Sequence, residues 1–237
     1  VVLFDLKTEG APSEKPLMLQ PVLFCPVLAW VCQELRACGA QRFFAVCDAD
    51  AREEVLAAAE GFDLTCVDSA EEALAQVQGG VIAVPGAVVP AAGEPSRAVY
   101  AADAGELRAR LGEGRTLADC PAEASGILPL WQSPSAAPAF LPVADAGELQ
   151  AAMPRCRELL MRRLAHSGVT VIDPQNTYVD PRCTVAPGVT IGSDVVIGAG
   201  SVVVHDIPDH VVAAGNPCRV IRPITEADRE ARRAVRK

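Results

Sequence analysis

The first 85 residues alternate short apolar runs with stretches whose apolar positions recur at helical spacing. Val1–Leu6, Arg42–Val46, Leu64–Val67 and Gly80–Val84 are β-branched or aromatic runs bounded by polar residues or glycine, the pattern of short buried strands. Between them, Pro26–Cys38 carries Leu28, Val31 and Leu35 on one stripe and stops at Gly39. A second helix is predicted from the Asp48/Asp50 caps to Gly61, and a third from Asp68-Ser69 to Gly79. Strand and helix alternating through loops this short imply a parallel sheet flanked by helices, a Rossmann-like α/β layout. Ligands of such sheets sit at the carboxyl ends of the strands.

From Pro85 to Ala144 the pattern weakens into Ala-, Pro- and Ser-rich sequence, with one helix announced by the capping box Asp103-Ala-Gly-Glu106 and a loop or linker at Gln132–Pro142. The hexamer Ala-Asp-Ala-Gly-Glu-Leu recurs at Ala144–Leu149, where Asp145 and Glu148 form a second capping box. It opens a helix with Leu149, Met153, Cys156, Leu160 and Leu164 on one stripe, closing at Ser167-Gly168.

Beyond this helix the period changes to six. Val179, Val185, Ile191, Ile197 and Val203 keep that spacing without a slip, and Cys183, Val189, Val195 and Ser201 fall four places after successive members. The pattern is that of a hexapeptide-repeat, left-handed parallel β-helix. Three hexapeptides make one triangular coil, so Gly168–Val220 supplies about three coils whose ends need covering. The preceding helix and the arginine-rich segment Thr225–Lys237 are the caps, the latter read as a solvated helical tail.

Composition narrows the partners. Of 237 residues, 50% are hydrophobic but only 4% aromatic, and 21 Lys+Arg against 30 Asp+Glu give a formal charge of −9. Such a chain repels phosphate backbones and anionic lipid, so neither nucleic acid nor membrane is the expected partner. The nine cysteines include no C-x-x-C pair and lie in apolar stretches, which reads as reduced thiols in a cytoplasmic protein without a zinc site. No apolar run is long enough to span a bilayer, and the first residues lack a secretion signal pattern.

Glu148–Asp180, ELQAAMPRCRELLMRRLAHSGVTVIDPQNTYVD, resembles the linker helix and first coil of the bifunctional N-acetylglucosamine-1-phosphate uridylyltransferase/glucosamine-1-phosphate acetyltransferase family. Val185–Arg229 instead resembles the last coils of maltose- and galactoside-type hexapeptide O-acetyltransferases, through IGAGSVV, DIP and AAGNPCRVI. The first 90 residues are similar in layout to a sugar nucleotidyltransferase domain: Lys15 lies near that family's P-K lysine, Pro26 stands for its G-K-P proline, and CGAQRFFAV stands for its second strand.

What the first resemblance implies can be checked against the chemistry. A glycine-rich loop with a following arginine should cradle the nucleotide phosphates, yet the chain reads Asp5-Leu-Lys-Thr-Glu9-Gly10. The positions expected to hold magnesium read Pro85-Gly86-Ala87 and Val143-Ala144-Asp145-Ala146, with alanine for both ligands. Phosphoryl transfer is positioning plus charge neutralisation, so magnesium is not expected and uridylyl transfer is expected to be lost. Lys7 and Lys15, with Asp145 as a metal carboxylate, are the candidates for any surviving nucleotide-sugar site.

For acyl transfer, the acetyltransferase resemblance implies acetyl-CoA held by Ala199, whose small side chain admits the thioester arm, and by Gly215, Asn216, Pro217 and Arg219. The family's middle coils, with their catalytic base, have no counterpart between Val179 and Ala186, leaving His205 and His210 of VVVHDIPDH as candidate bases.

The expectation is a nucleotidyltransferase-type α/β domain over 1–142, a linker helix over 143–168, a β-helix over 169–222 and a charged tail over 223–237. The leading expectation for function is a non-catalytic homotrimeric binding or regulatory protein. Two alternatives stand beside it: an acyltransferase using acetyl-CoA on a sugar or amine, with its acceptor site completed by a neighbouring subunit, and a surviving nucleotide-sugar pyrophosphorylase.

Overall fold

The computed structural model describes residues 1–7, 16–93, 98–119 and 138–235, the side chains of 231–235 excepted. The chain forms two compact units, Val1–Val22 with Pro26–Cys156, and Leu23–Cys25 with Arg157–Lys237.

The first unit is built on a five-stranded sheet with Val2–Asp5 at its centre. Arg42–Val46 pairs with it in parallel on one side and Gly80–Val84 on the other. Asp63–Val67 adds in parallel outside Arg42–Val46, so the strands in chain order lie 3-2-1-4, the order of a doubly wound open sheet. A fifth strand, Tyr100–Asp103, runs antiparallel along Gly80–Val84, in a stretch where the sequence pattern signalled no strand. Both sheet faces are buried, as a parallel sheet requires: Leu3, Phe44 and Ala83 on one, Val2, Phe4, Phe43 and Ala45 on the other, with Phe4 stacked on Phe43.

The helices of this unit start largely where the caps indicate. Ser69 Oγ accepts the Glu72 N–H at 3.2 Å while Glu72 Oε2 accepts the Asp68 N–H at 2.8 Å, a reciprocal capping box on Ala70–Ala75. Asp103 Oδ1 accepts from Gly105 and Glu106 at the head of Ala104–Gly112. Val27–Ala37 begins just after Pro26. Asp48 and Asp50, by contrast, cap nothing. The second helix is Arg52–Ala58 with Ala51 at its N-cap and no side-chain bond there, because Asp48 to Ala51 fold into a turn in which Ala51 N–H donates to Asp48 O at 3.1 Å.

A 21-residue helix, Ala146–His166, carries the chain onward. Glu148 N–H donates to Asp145 Oδ1 and Ala144 N–H to Glu148 Oε2, each at 2.8 Å, so the second capping box is complete. Leu149, Ala152, Cys156, Leu159, Leu160 and Leu164 are buried and Met153 is half-buried. Pro154 lies inside the helix, where a missing N–H interrupts the ladder. Gly168, at φ 79°, ends it.

The second unit is a parallel β-helix with three faces. Thr170–Val171 pairs with Thr190–Ile191, Tyr178–Val179 with Val196–Ile197, and Thr184–Val185 with Val202–Val203. On the last two faces each pair is one turn of three hexapeptides apart. Val196–Ile197 then pairs with Val211–Ala214 across a turn two residues shorter. Val179, Ile191, Ile197 and Val203 are fully buried in the stack, while Val185 is only half-buried. Arg219–Pro223 folds back antiparallel onto Val211–Ala214, and the helix Glu226–Val235 follows, opened by the Thr225/Asp228 box.

Candidate functional site

The acetyl-CoA candidates are brought to one corner of the β-helix. Gly198 N–H donates to Ala213 O at 2.9 Å, Val202 N–H to Gly215 O at 3.0 Å and Cys218 N–H to Val202 O at 2.8 Å, so the turn around Ala199 lies directly against the turn Gly215–Arg219. Ser201 Oγ joins them, donating to Gly198 O at 2.6 Å and accepting the Gly215 N–H at 3.1 Å. Gly200 at φ 64° and Gly215 at φ 107° occupy the left-handed region that side chains resist. A Cβ on Gly198 would stand 3.1 Å from the Ala214 Cβ, so the coils approach as closely as a glycine allows.

Ala199, Gly215, Asn216 and Arg219 are all exposed on this corner, and the Asn216–Pro217 bond is cis. The arrangement offers an open strip of small residues with one guanidinium, which suits an extended chain carrying amide groups and an anionic end. Two thiols lie beneath. Burial pushes Cys183 up to about 11 and also raises Cys218, so both are neutral near pH 7 and poor nucleophiles.

The two candidate bases differ. His205 is exposed on the turn between Val203 and Ile207. His210 lies at a neighbouring corner, where its Nδ1 is 3.3 Å from Asp194 Oδ2. Arg229, from the final helix, donates through Nε at 3.1 Å to the same Asp194 oxygen and holds its Nη2 3.0 Å from it as an ion pair. Asp194 and His210 both have positive φ, 53° and 58°, and His210 N–H donates to Ser193 O at 2.8 Å, so the two residues stack on successive coils. Reading the sequence did not single out Asp194, and it placed Arg229 only in a solvated helical tail. The available signal was the corner position shared by Ser193-Asp194 and Asp209-His210, each just before a buried valine, Val195 or Val211.

The nucleotide-sugar candidates are engaged otherwise. In the first unit, Lys7 Nζ donates to Asp68 O at 2.7 Å and lies 3.6 Å from Asp48 Oδ1, while Arg52 pairs with Asp68 at 2.6 Å. Burial pushes the Asp5 carboxyl up despite the Lys7 N–H it accepts. Asp145 caps the long helix, and Lys15 and Glu9-Gly10 lie outside the described residues. Among the described residues no group of three or more His, Cys, Asp or Glu could hold a metal ion, and no helix is long and apolar enough to cross a membrane.

Residues 175–205 match the bacterial transferase hexapeptide family (six repeats). The galactoside O-acetyltransferase of Escherichia coli (strain K12) is 56% identical over 54 residues, 23% of this chain and 27% of the relative. A Saccharomyces cerevisiae protein described as an acetyltransferase is 57% identical over 60 residues, 25% of this chain and 30% of its own length. The chain thus spans less than a third of the curated relatives it matches. Among solved structures, a maltose O-acetyltransferase from Clostridium difficile 630 aligns at 53% identity over 24% of this chain and 29% of that one, with a TM-score of 0.23. A galactoside acetyltransferase in complex with coenzyme A aligns at 51% identity over 26% and 30%, with a TM-score of 0.24. The second unit therefore carries the hexapeptide-transferase repeat and is similar in sequence to galactoside O-acetyltransferase.

Proposed function

We propose that this protein is an acetyl-CoA-dependent acyltransferase, a homotrimer that passes an acetyl group to a hydroxyl or amine of a sugar-type acceptor. The observation that carries the reading is the meeting of Ala199, Gly215, Asn216 and Arg219 at one exposed corner of the β-helix whose residues 175–205 match the hexapeptide transferase family. The glycines let the coenzyme arm approach backbone, and Arg219 balances its phosphates. In the reaction a base takes the acceptor proton, the freed lone pair attacks the thioester carbonyl, the C–S bond breaks, and the coenzyme leaves as a thiol once protonated.

This reading takes precedence over a purely non-catalytic protein because the preserved corner is the one the donor needs. It takes precedence over uridylyl transfer because the candidates for that chemistry are engaged elsewhere: Lys7 Nζ donates to Asp68 O and Asp145 caps the long helix.

Calorimetric titration of acetyl-CoA tests it. Saturable binding by the wild type should weaken about tenfold or more in Arg219→Ala, the usual worth of a charge-assisted contact. Equal affinity in both, or none in either, refutes the reading. Light scattering checks the assembly, which fails if the mass is that of one 24.8 kDa chain.

A further inference from the structure

We infer that Cys47 and Cys66 form a reversible disulfide, a redox modification site at the carboxyl end of the open sheet in the first unit. The site is separate from the acyltransferase reading and does not depend on it.

Strand register brings the two thiols together. Arg42–Val46 and Asp63–Val67 run in parallel with Ala45 opposite Cys66 and Val46 opposite Val67, and Cys47 N–H donates to Val67 O at 3.2 Å. Side chains alternate along a strand, so Cys47 and Cys66 both leave the sheet on the face of Ala45. There the Cys47 thiol donates to the Cys66 sulfur, and burial, followed by the influence of Cys66, pushes Cys47 up to about 12. The two differ in access. Cys47 is buried, whereas Cys66 is half-buried on the outermost strand, so Cys66 is the thiol that an incoming reagent meets first.

Two features favour closing the pair. Arg52, in the first turn of the helix Arg52–Ala58, acts on the Cys47 thiol in favour of the thiolate, and its Nε is buried with no hydrogen-bond partner. A buried donor without an acceptor is costly, and a thiolate forming in its field lowers that cost. The opposing charge, Asp48, is exposed to solvent. Cys47 also lies one residue past the end of Arg42–Val46 and just before the turn from Asp48 to Ala51, so its backbone is free on one side to follow its sulfur to the roughly 2 Å of a disulfide.

The oxidant is a small-molecule disulfide such as oxidised glutathione. The Cys66 thiol gives its proton to solvent and attacks one glutathione sulfur, that S–S bond breaks, and one glutathione leaves as a thiol once protonated. The mixed disulfide removes two of the influences that hold the Cys47 proton, the charge on Cys66 and the bond to its sulfur. Cys47 then gives its proton to solvent and attacks the Cys66 sulfur, and the second glutathione leaves as a thiol once protonated. Two protein thiols are oxidised and one small disulfide is reduced. The new bond encloses the crossover between the two strands, with the helix Arg52–Ala58 inside it.

The test equilibrates the full chain with mixtures of reduced and oxidised glutathione, traps remaining thiols with a maleimide and reads the peptides by mass spectrometry. Cys47 and Cys66 should be recovered as one linked pair that dithiothreitol separates. In the reduced native chain the maleimide should label Cys66 about tenfold or more faster than Cys47. Cys47→Ala should leave Cys66 carrying one glutathione, and Cys66→Ala should leave Cys47 unmodified. The wild-type measurements stand without either variant. Both thiols free after equilibration with oxidised glutathione, a disulfide joining either to another cysteine of the chain, or glutathione on Cys47 while Cys66 stays free each overturn the inference.

Discussion

Gly192→Ala gives the sharpest physical test of the second unit. A Cβ built at Gly192 would stand 2.8 Å from the Asp209 backbone nitrogen and 2.9 Å from the Pro208 carbonyl carbon, and would also strike the Asp209 carboxylate. Backbone atoms cannot rotate away, so the coils must separate. Three hydrogen bonds cross this rung: Gly192 N–H to Ile207 O at 2.9 Å, Ser193 N–H to Asp209 Oδ1 at 2.6 Å and His210 N–H to Ser193 O at 2.8 Å. Overpacking alone costs about 1–3 kcal/mol, and each bond forfeited adds about 1 kcal/mol, so a loss of about 3 kcal/mol is expected. With a urea slope of about 1.5 kcal/mol/M, the midpoint should fall by about 2 M.

The two units need not unfold together, so a single optical transition is ambiguous. Hydrogen exchange of peptides covering residues 190–215 along the urea series reads the β-helix directly. Gly86→Ala makes the same chemical change where nothing lies within 4 Å of the new methyl, and should move stability by no more than about 0.5 kcal/mol. A Gly192→Ala midpoint indistinguishable from that of Gly86→Ala refutes the claim that close coil contact at this rung requires glycine.

Two further outcomes follow from buried charges and thiols. Asp180 is fully buried and its carboxylate is gripped by Arg182 through Nε at 2.9 Å and Nη2 at 2.8 Å, so Arg182→Met should cost about 3 kcal/mol in a melting experiment, at the low end for a buried pair because Arg182 is itself 37% exposed. Burial pushes the Cys25 and Cys156 thiols up to about 12. Their unfolded value is about 8.5, so the neutral thiols contribute stability that is complete below that pH and is lost as pH rises toward the folded value. Urea midpoints measured from pH 7 to 10.5 should fall above pH 8.5, and Cys156→Ala should flatten part of that fall. An unchanged slope counts against buried thiols as the cause.

How far the sequence could be read depended on whether the signal was local. The six-residue period located the β-helix because each rung repeats the same small demand, one buried aliphatic and a tight corner. The side-chain caps at Asp103 and Asp145 held because donor and acceptor lie within one turn. Asp48 and Asp50 misled for the complementary reason: they are cap-type residues, but a turn ending at Ala51 took their place. Tyr100–Asp103 escaped notice because Ala101 and Ala102 carry no alternation, and its strand character comes from pairing with Gly80–Val84. The residues of the Ala199/Gly215 corner were legible as a motif, whereas the grouping of Asp194, His210 and Arg229 draws on three separate elements and needs the coil stacking to be seen.

The antiparallel return of Arg219–Pro223 bears on how such a chain can change in length. A stack of parallel rungs exposes at its last coil a row of unmet N–H and C=O groups that invites another strand. The return strand pairs with Val211–Ala214 along that edge, and its arginines, with the charged turn that follows and its Arg222–Asp228 pair, crowd it with charge. Termination is thus written in the last coil alone and is indifferent to how many coils precede it. Rungs upstream can be added or removed in multiples of a turn without redesigning the end.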